Sequence, residues 1–127
     1  MSDTPQHRLG ELMEESNPAF ETVMSCVFGI EDHETRTYLT LCSQPGSTIE
    51  ELAATLERDR STVNRSLSTL HERDLVRRDR RLLDGGGYIY QYTATALPEV
   101  KEMLHEALDV WTATVHDVID EFDETIE

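Results

Sequence analysis

Asn64 and Arg65 stand side by side in the run Ser61-Thr62-Val63-Asn64-Arg65-Ser66-Leu67-Ser68-Thr69, and Arg77, Arg78, Arg80 and Arg81 follow shortly after. These residue types suit nucleic acid. A guanidinium matches guanine O6 and N7, a carboxamide matches adenine N6 and N7, and Ser or Thr hydroxyls serve bases or phosphates. Residues 57–82 hold eight of the eleven basic residues against five acids, so they carry +3 in a chain whose net charge is −15, and the remainder carries −18. A positive island on so acidic a protein implies a polyanionic partner. An ordinary solvated charged face is the competing explanation. It fails here because the basic residues sit on an apolar repeat followed by a hairpin pattern.

The elements that position this island can be read on either side of it. Ser47-Thr48-Ile49-Glu50-Glu51 contains two overlapping capping boxes, Ser47 with Glu50 and Thr48 with Glu51, so a helix starts there with Ile49, Leu52, Ala53 and Leu56 as its buried stripe. Glu57 to Arg60 is a short turn, after which Ser61 caps a second helix carrying Val63, Leu67 and Leu70 inward. Two short helices joined in this way form a helix-turn-helix unit. Its outward residues are Ser61, Thr62, Asn64, Arg65, Ser68 and Thr69, with Asn64 and Arg65 the base readers.

At Leu75 the period changes. Leu75 to Leu83 and Tyr88 to Thr93 flank Asp84-Gly85-Gly86-Gly87, which predicts a β-hairpin with a basic first strand and an aromatic second one. Arg77, Arg78, Arg80 and Arg81 alternate sides, and Arg80 and Arg81, nearest the tip, are the candidates for backbone or minor-groove contact. Protection of a strand edge is the alternative role for these arginines. Tyr88, Tyr90 and Tyr92 share one face and are expected to pack in the core.

Residues 1–17 are polar and unpatterned, and read as a flexible arm. A helix follows from about Asn17 or Pro18 to Phe28, with Phe20, Val23, Met24, Val27 and Phe28 on one face and Gly29 as its stop. The next covers roughly Asp32 to Ser43, with Tyr38, Leu39, Leu41 and Cys42 turned inward before Gln44-Pro45-Gly46 breaks it. Pro98 opens a long helix to about Ile126, whose apolar residues span near half its circumference, more than the roughly 100° stripe a single core needs. Leu104, Leu108, Trp111, Val115, Val118 and Phe122 are therefore expected to meet a second copy of the chain, beside the first helix. The implied organisation is an arm over 1–17, a DNA-binding domain over 18–96 and a dimerisation helix over 97–127.

This order of elements resembles the winged helix-turn-helix regulators of the MarR and TrmB classes, well so over residues 30–96. The most specific piece is Ser61 to Arg78, which is similar to the family's recognition helix, apolar stripe, small turn residue, Leu-Val and Arg. Asp74 stands where the family usually has Gly, a left-handed position that Asp tolerates. The resemblance implies a mainly α fold with a small hairpin, acting in transcription on double-stranded DNA. It resembles a short form, since full-length sugar-sensing TrmB proteins continue into an effector domain that the sequence after Thr95 does not match.

Ten of the eleven basic residues are Arg, and Asp plus Glu number 26, a surface like that of proteins from salt-loving archaea. The absence of a long apolar run points to a cytoplasmic protein without a membrane span. Two cysteines in such a chain do not suggest a disulfide. Cys42 is expected to be inert in the core, and Cys26, at the margin of its stripe, is the candidate redox switch. His7, His33, His71, His105 and His116 lack metal-ligand spacing. No catalytic motif, cofactor site or small-molecule site is evident. The expected function is a homodimeric, sequence-specific regulator, with a protein-docking winged helix that never reads bases as the alternative.

Overall fold

In the computed structural model, residues 19–123 are described. The arm expected over 1–17 and the end of the last predicted helix at Ile126 lie outside them. The order is α1 (Phe20–Phe28), α2 (Asp32–Ser43), α3 (Ile49–Leu56), α4 (Arg60–Glu72), β1 (Val76–Leu82), β2 (Tyr88–Ala94) and α5 (Leu97–Glu121).

Helix α1 buries Met24 and leans Phe20, Val23, Val27 and Phe28 on the core, and Gly29 at φ 71° ends it in the left-handed conformation that glycine adopts without strain. Helix α2 starts with a capping box in which the Glu31 amide donates to Glu34 Oε1 at 2.8 Å. Its buried face is Thr35, Thr37, Tyr38 and Leu41. Tyr38 is fully buried, its hydroxyl donates to the Thr95 carbonyl at 2.7 Å, and burial pushes its pKa well above the ordinary phenol value.

Two expected core residues of α2 are exposed. Leu39 is 37% accessible because the buried arc turns from Tyr38 toward Leu41 and Thr37, away from Leu39. Cys42 shares an angular sector with Tyr38, yet it is exposed. A helical wheel ignores depth along the axis, and this last-turn position is left uncovered.

Of the two capping boxes, the chain uses Thr48 with Glu51: the Glu51 amide donates to Thr48 Oγ1 at 3.1 Å and the Thr48 amide to Glu51 Oε1 at 2.9 Å. Ser47 is recruited elsewhere, bridging to Tyr92 through the Tyr92 amide and the Ser47 carbonyl at 2.8 Å, which ties the helix-turn-helix to the hairpin. Glu57 takes φ 54° at the turn. The cap of α4 is Asp59, not Ser61. Its Oδ1 accepts from the Thr62 amide at 3.1 Å, and hydrogen bonds from the Thr62 side chain and amide hold its carboxyl below the usual range. Because the chain enters the helix at Arg60, Asp59 takes the cap position and Ser61 falls inside the first turn, and the Asp59 charge also meets the helix dipole.

Val63, Leu67 and Leu70 face inward as their spacing predicts, joined by Ser66. Asp74 adopts φ 62°, the left-handed helix stop expected at this position. The strands pair antiparallel with Arg78 opposite Tyr92, Arg80 opposite Tyr90 and Leu82 opposite Tyr88. The core is one cluster contributed by every helix and the base of the hairpin, including Met24, Tyr38, Leu52, Leu67, Leu75, Tyr92 and Val100. Helix α5 ends at Glu121, where Phe122 turns extended, earlier than the sequence pattern predicts.

Candidate nucleic-acid interface

On α4 the exposed residues Ser61, Asn64, Arg65 and Ser68 form one ridge, because steps of three and four return to the same side at about 100° per residue. Thr62 and Thr69 are half-buried on its flank, and Thr62 Oγ1 accepts from Arg65 Nη2 at 3.4 Å. The ridge stands on a rigid base: its reverse side is the core, its start is capped by Asp59, and Arg73 at its end donates to the Phe28 carbonyl at 2.9 Å. A side chain that reads a base edge needs such a fixed backbone behind it.

A groove of about 200 Å³ separates the ridge from the hairpin, lined by Asn64, Leu67, Ser68, His71 and Glu72 on one side and Arg78 and Tyr92 on the other. The hairpin arginines divide between two faces. Arg78 and Arg80 share the face of Tyr88, Tyr90 and Tyr92, whereas Arg77 and Arg81 lie on the reverse, where Arg77 Nε sits 3.5 Å from Asp79 Oδ2. The tip pair Arg80 and Arg81 thus points in opposite directions.

The tyrosines also differ from expectation. Tyr92 is in the core, Tyr90 is half-buried, and Tyr88 is 48% exposed. Each step toward the tip moves a residue further from the domain body, so a shared face does not mean a shared environment. In place of the core, the outer rings meet arginines: Arg78 Cζ lies 4.2 Å from the Tyr90 centroid and Arg80 Cζ 4.9 Å from that of Tyr88. This ladder was missed from sequence, although Arg-x-Arg paired against Tyr-x-Tyr was its signal.

The expected dimer residues of α5 separate into two groups. Leu104 is only 7% exposed and belongs, with Val100, to the domain's own core, because α5 packs against α1 near its start. Its side chain is covered within its own domain. Leu108, Trp111, Val118 and Phe122 are exposed and Val115 is half-buried. An apolar cleft of about 530 Å³ between Phe28 and α5 is lined by Met103, Ala107, Val110 and Trp111. Both Cys26 and Cys42 are exposed, so accessibility does not single out Cys26.

Among the described residues no group of three or more His, Cys, Asp or Glu could hold a metal, and no helix is long and apolar enough to cross a membrane.

The family described as "Sugar-specific transcriptional regulator TrmB" matches residues 24–97, which run from α1 through the hairpin to the start of α5. The chain belongs to the TrmB family. This TrmB-family chain is 32% identical over 117 residues to the uncharacterized protein MJ1503 of Methanocaldococcus jannaschii, covering 85% of this chain and 89% of that protein. Its fold matches a possible transcriptional regulator from Methanosarcina mazei with a TM-score of 0.74, 24% identity and coverage of 82% and 88% of the two chains. It also matches an S. aureus MepR mutant bound to an oligodeoxyribonucleotide, with a TM-score of 0.52, 18% identity and coverage of 97% and 87%. The fold is the winged helix of the MarR and TrmB regulators.

Proposed function

We propose that this TrmB-family protein binds double-stranded DNA as a homodimer and regulates transcription by occupying specific sites, with α4 in the major groove and the hairpin beside it. The observation that carries this reading is the rigid exposed ridge of Ser61, Asn64, Arg65 and Ser68, bordered by a groove whose far wall bears Arg78. Asn64 and Arg65 would read base edges. Ser61, Thr62, Ser68 and Thr69 would hold phosphates near them. Arg78 and Arg80 would serve the backbone or minor groove from the tyrosine face, with Arg77 and Arg81 contributing charge from the reverse.

The second copy is inferred from α5. Beyond Leu104 its apolar residues leave the domain body: Trp111 on the helix and Phe122 at its C-cap remain 65% and 70% exposed. An apolar strip continuous with the cleft beside Phe28 fits another copy of itself through a two-fold axis. Selection from a pool of random duplexes tests the reading: a two-fold-symmetric motif should be enriched, with half-sites about one or more helical turns apart. Recovery of an unenriched pool would contradict it.

Charge distribution favours a salty cytoplasm. The acids outside residues 57–82 leave a −18 surround that repels phosphate at low ionic strength. At 1 M salt the Debye length falls to about 3 Å, so screening relieves this repulsion while it weakens the arginine contacts. Affinity is expected to stay flat or rise into high potassium salt. Titration of one selected duplex across potassium chloride checks this, and a steep monotonic loss would rule out the adaptation.

A further inference from the structure

We propose that Tyr88 and Tyr90 are positioning residues for DNA binding, which hold the guanidinium groups of Arg80 and Arg78 in an ordered rail along the hairpin face that borders the α4 groove. The inference rests on the DNA-binding reading above and adds to it a role for residues that touch no base.

The geometry is a four-membered ladder. Arg78 lies over the Tyr90 ring at 4.2 Å, Arg80 over the Tyr88 ring at 4.9 Å, and the two rings meet edge to face with centroids 5.4 Å apart and planes at 70°. Directly across the sheet, Arg78 faces Tyr92 and Arg80 faces Tyr90, so each arginine reaches diagonally to the tyrosine two residues before its partner. Burial does not account for this arrangement, because Tyr88 is 48% exposed at the outer end of its strand.

A ring quadrupole attracts the guanidinium to its face, and a guanidinium over a ring keeps its in-plane N–H groups available for phosphate or base oxygens. Arginine otherwise loses much rotamer freedom when it is fixed at an interface. The tyrosines remove that loss before DNA arrives. Position strengthens the case, since Arg78 also lines the groove with Asn64, Ser68 and His71. On the reverse face Arg77 lies against Asp79, an acid that competes with phosphate for it.

The test is the affinity of the full chain for a duplex selected by the wild-type protein, read by fluorescence anisotropy at fixed salt. The proteins are wild type, Tyr88→Leu, Tyr88→Phe, Arg80→Ala and the Tyr88→Leu/Arg80→Ala double variant, with the matching set for Tyr90 and Arg78. Tyr→Leu should weaken binding roughly two- to tenfold per arginine released. Tyr→Phe, which keeps the ring, should stay within about twofold of wild type. In the Arg→Ala background Tyr→Leu should cost nothing further, because the ring then has no cation to hold. A loss that persists in that background, or wild-type binding by Tyr88→Leu, overturns the proposal. Tyr88 is exposed, so its set decides the matter even where Tyr90→Leu impairs folding. Wild-type affinity in Arg80→Ala overturns the ladder alone. A wild-type protein that enriches no motif and binds no duplex overturns the DNA-binding reading, and the ladder with it.

Discussion

Replacing Trp111 and Val118 together with glutamate is expected to yield a folded monomer that has lost at least a hundredfold of its affinity for a two-half-site duplex. Both side chains are more than half exposed on α5, so the charges enter water in the monomer and leave the core built on Val100 and Leu104 intact. In the dimer they would be buried against an apolar strip of the partner, where an unpaired carboxylate is strongly unfavourable. The loss in affinity follows from connectivity. Two recognition helices joined in one particle bind the second half-site intramolecularly, and separation forfeits an avidity on the order of 10² to 10⁴. Light scattering gives the mass and anisotropy the affinity. An unchanged dimer mass would place the interface elsewhere, whereas a monomer with undiminished affinity would show that one copy suffices.

Arg65→Ala is expected to weaken the selected site by roughly 1 to 3 kcal/mol per half-site, about 5- to 150-fold, and to flatten preference at one base position. The guanidinium is exposed on the ridge, with a 3.4 Å contact to Thr62 and the Asp59 carboxylate nearby, so its removal leaves the core residues Val63, Ser66 and Leu67 undisturbed. Arg78→Ala should behave differently. A phosphate contact carries no sequence information, so its loss weakens all duplexes about equally and lowers the salt slope by about one charge. Repeating the random-duplex selection with both variants separates the two roles. Equal losses by Arg65→Ala on selected and random DNA would remove Arg65 from base readout.

The helix-turn-helix was legible because its signals are local. The Thr48–Glu51 box, the Val63, Leu67 and Leu70 stripe and the glycine-rich turn each act within a few residues. The outward identity of Asn64 and Arg65 followed from that periodicity alone. What sequence spacing missed depends on depth and on neighbours distant in the chain. Cys42 and Leu39 lie at or near the angular sector of the core yet remain exposed, and Leu104 lies on the apolar stripe of α5 expected to meet a second copy yet is covered by its own domain. Helical angle is only one coordinate of burial. Competition between caps decided Asp59 over Ser61, since both residues have the right chemistry and only the entry of the chain into α4 selects between them. The division of Arg80 from Arg81 was implicit in strand alternation, but only the register against Tyr88 and Tyr90 gives Arg80 a fixed place.

The central claim is that the α4 ridge reads sequence, and one comparison tests it most directly. Wild-type protein is titrated, at the potassium concentration of strongest binding, against a duplex recovered by selection and against the same base pairs in shuffled order. Base readout by Asn64 and Arg65 predicts that the selected duplex binds at least a thousandfold more tightly, the lower end of the range for specific regulators, which is about 10³ to 10⁷. Equal affinity for the two would contradict the claim, and would leave the winged helix as a surface that docks on protein or on DNA of any sequence.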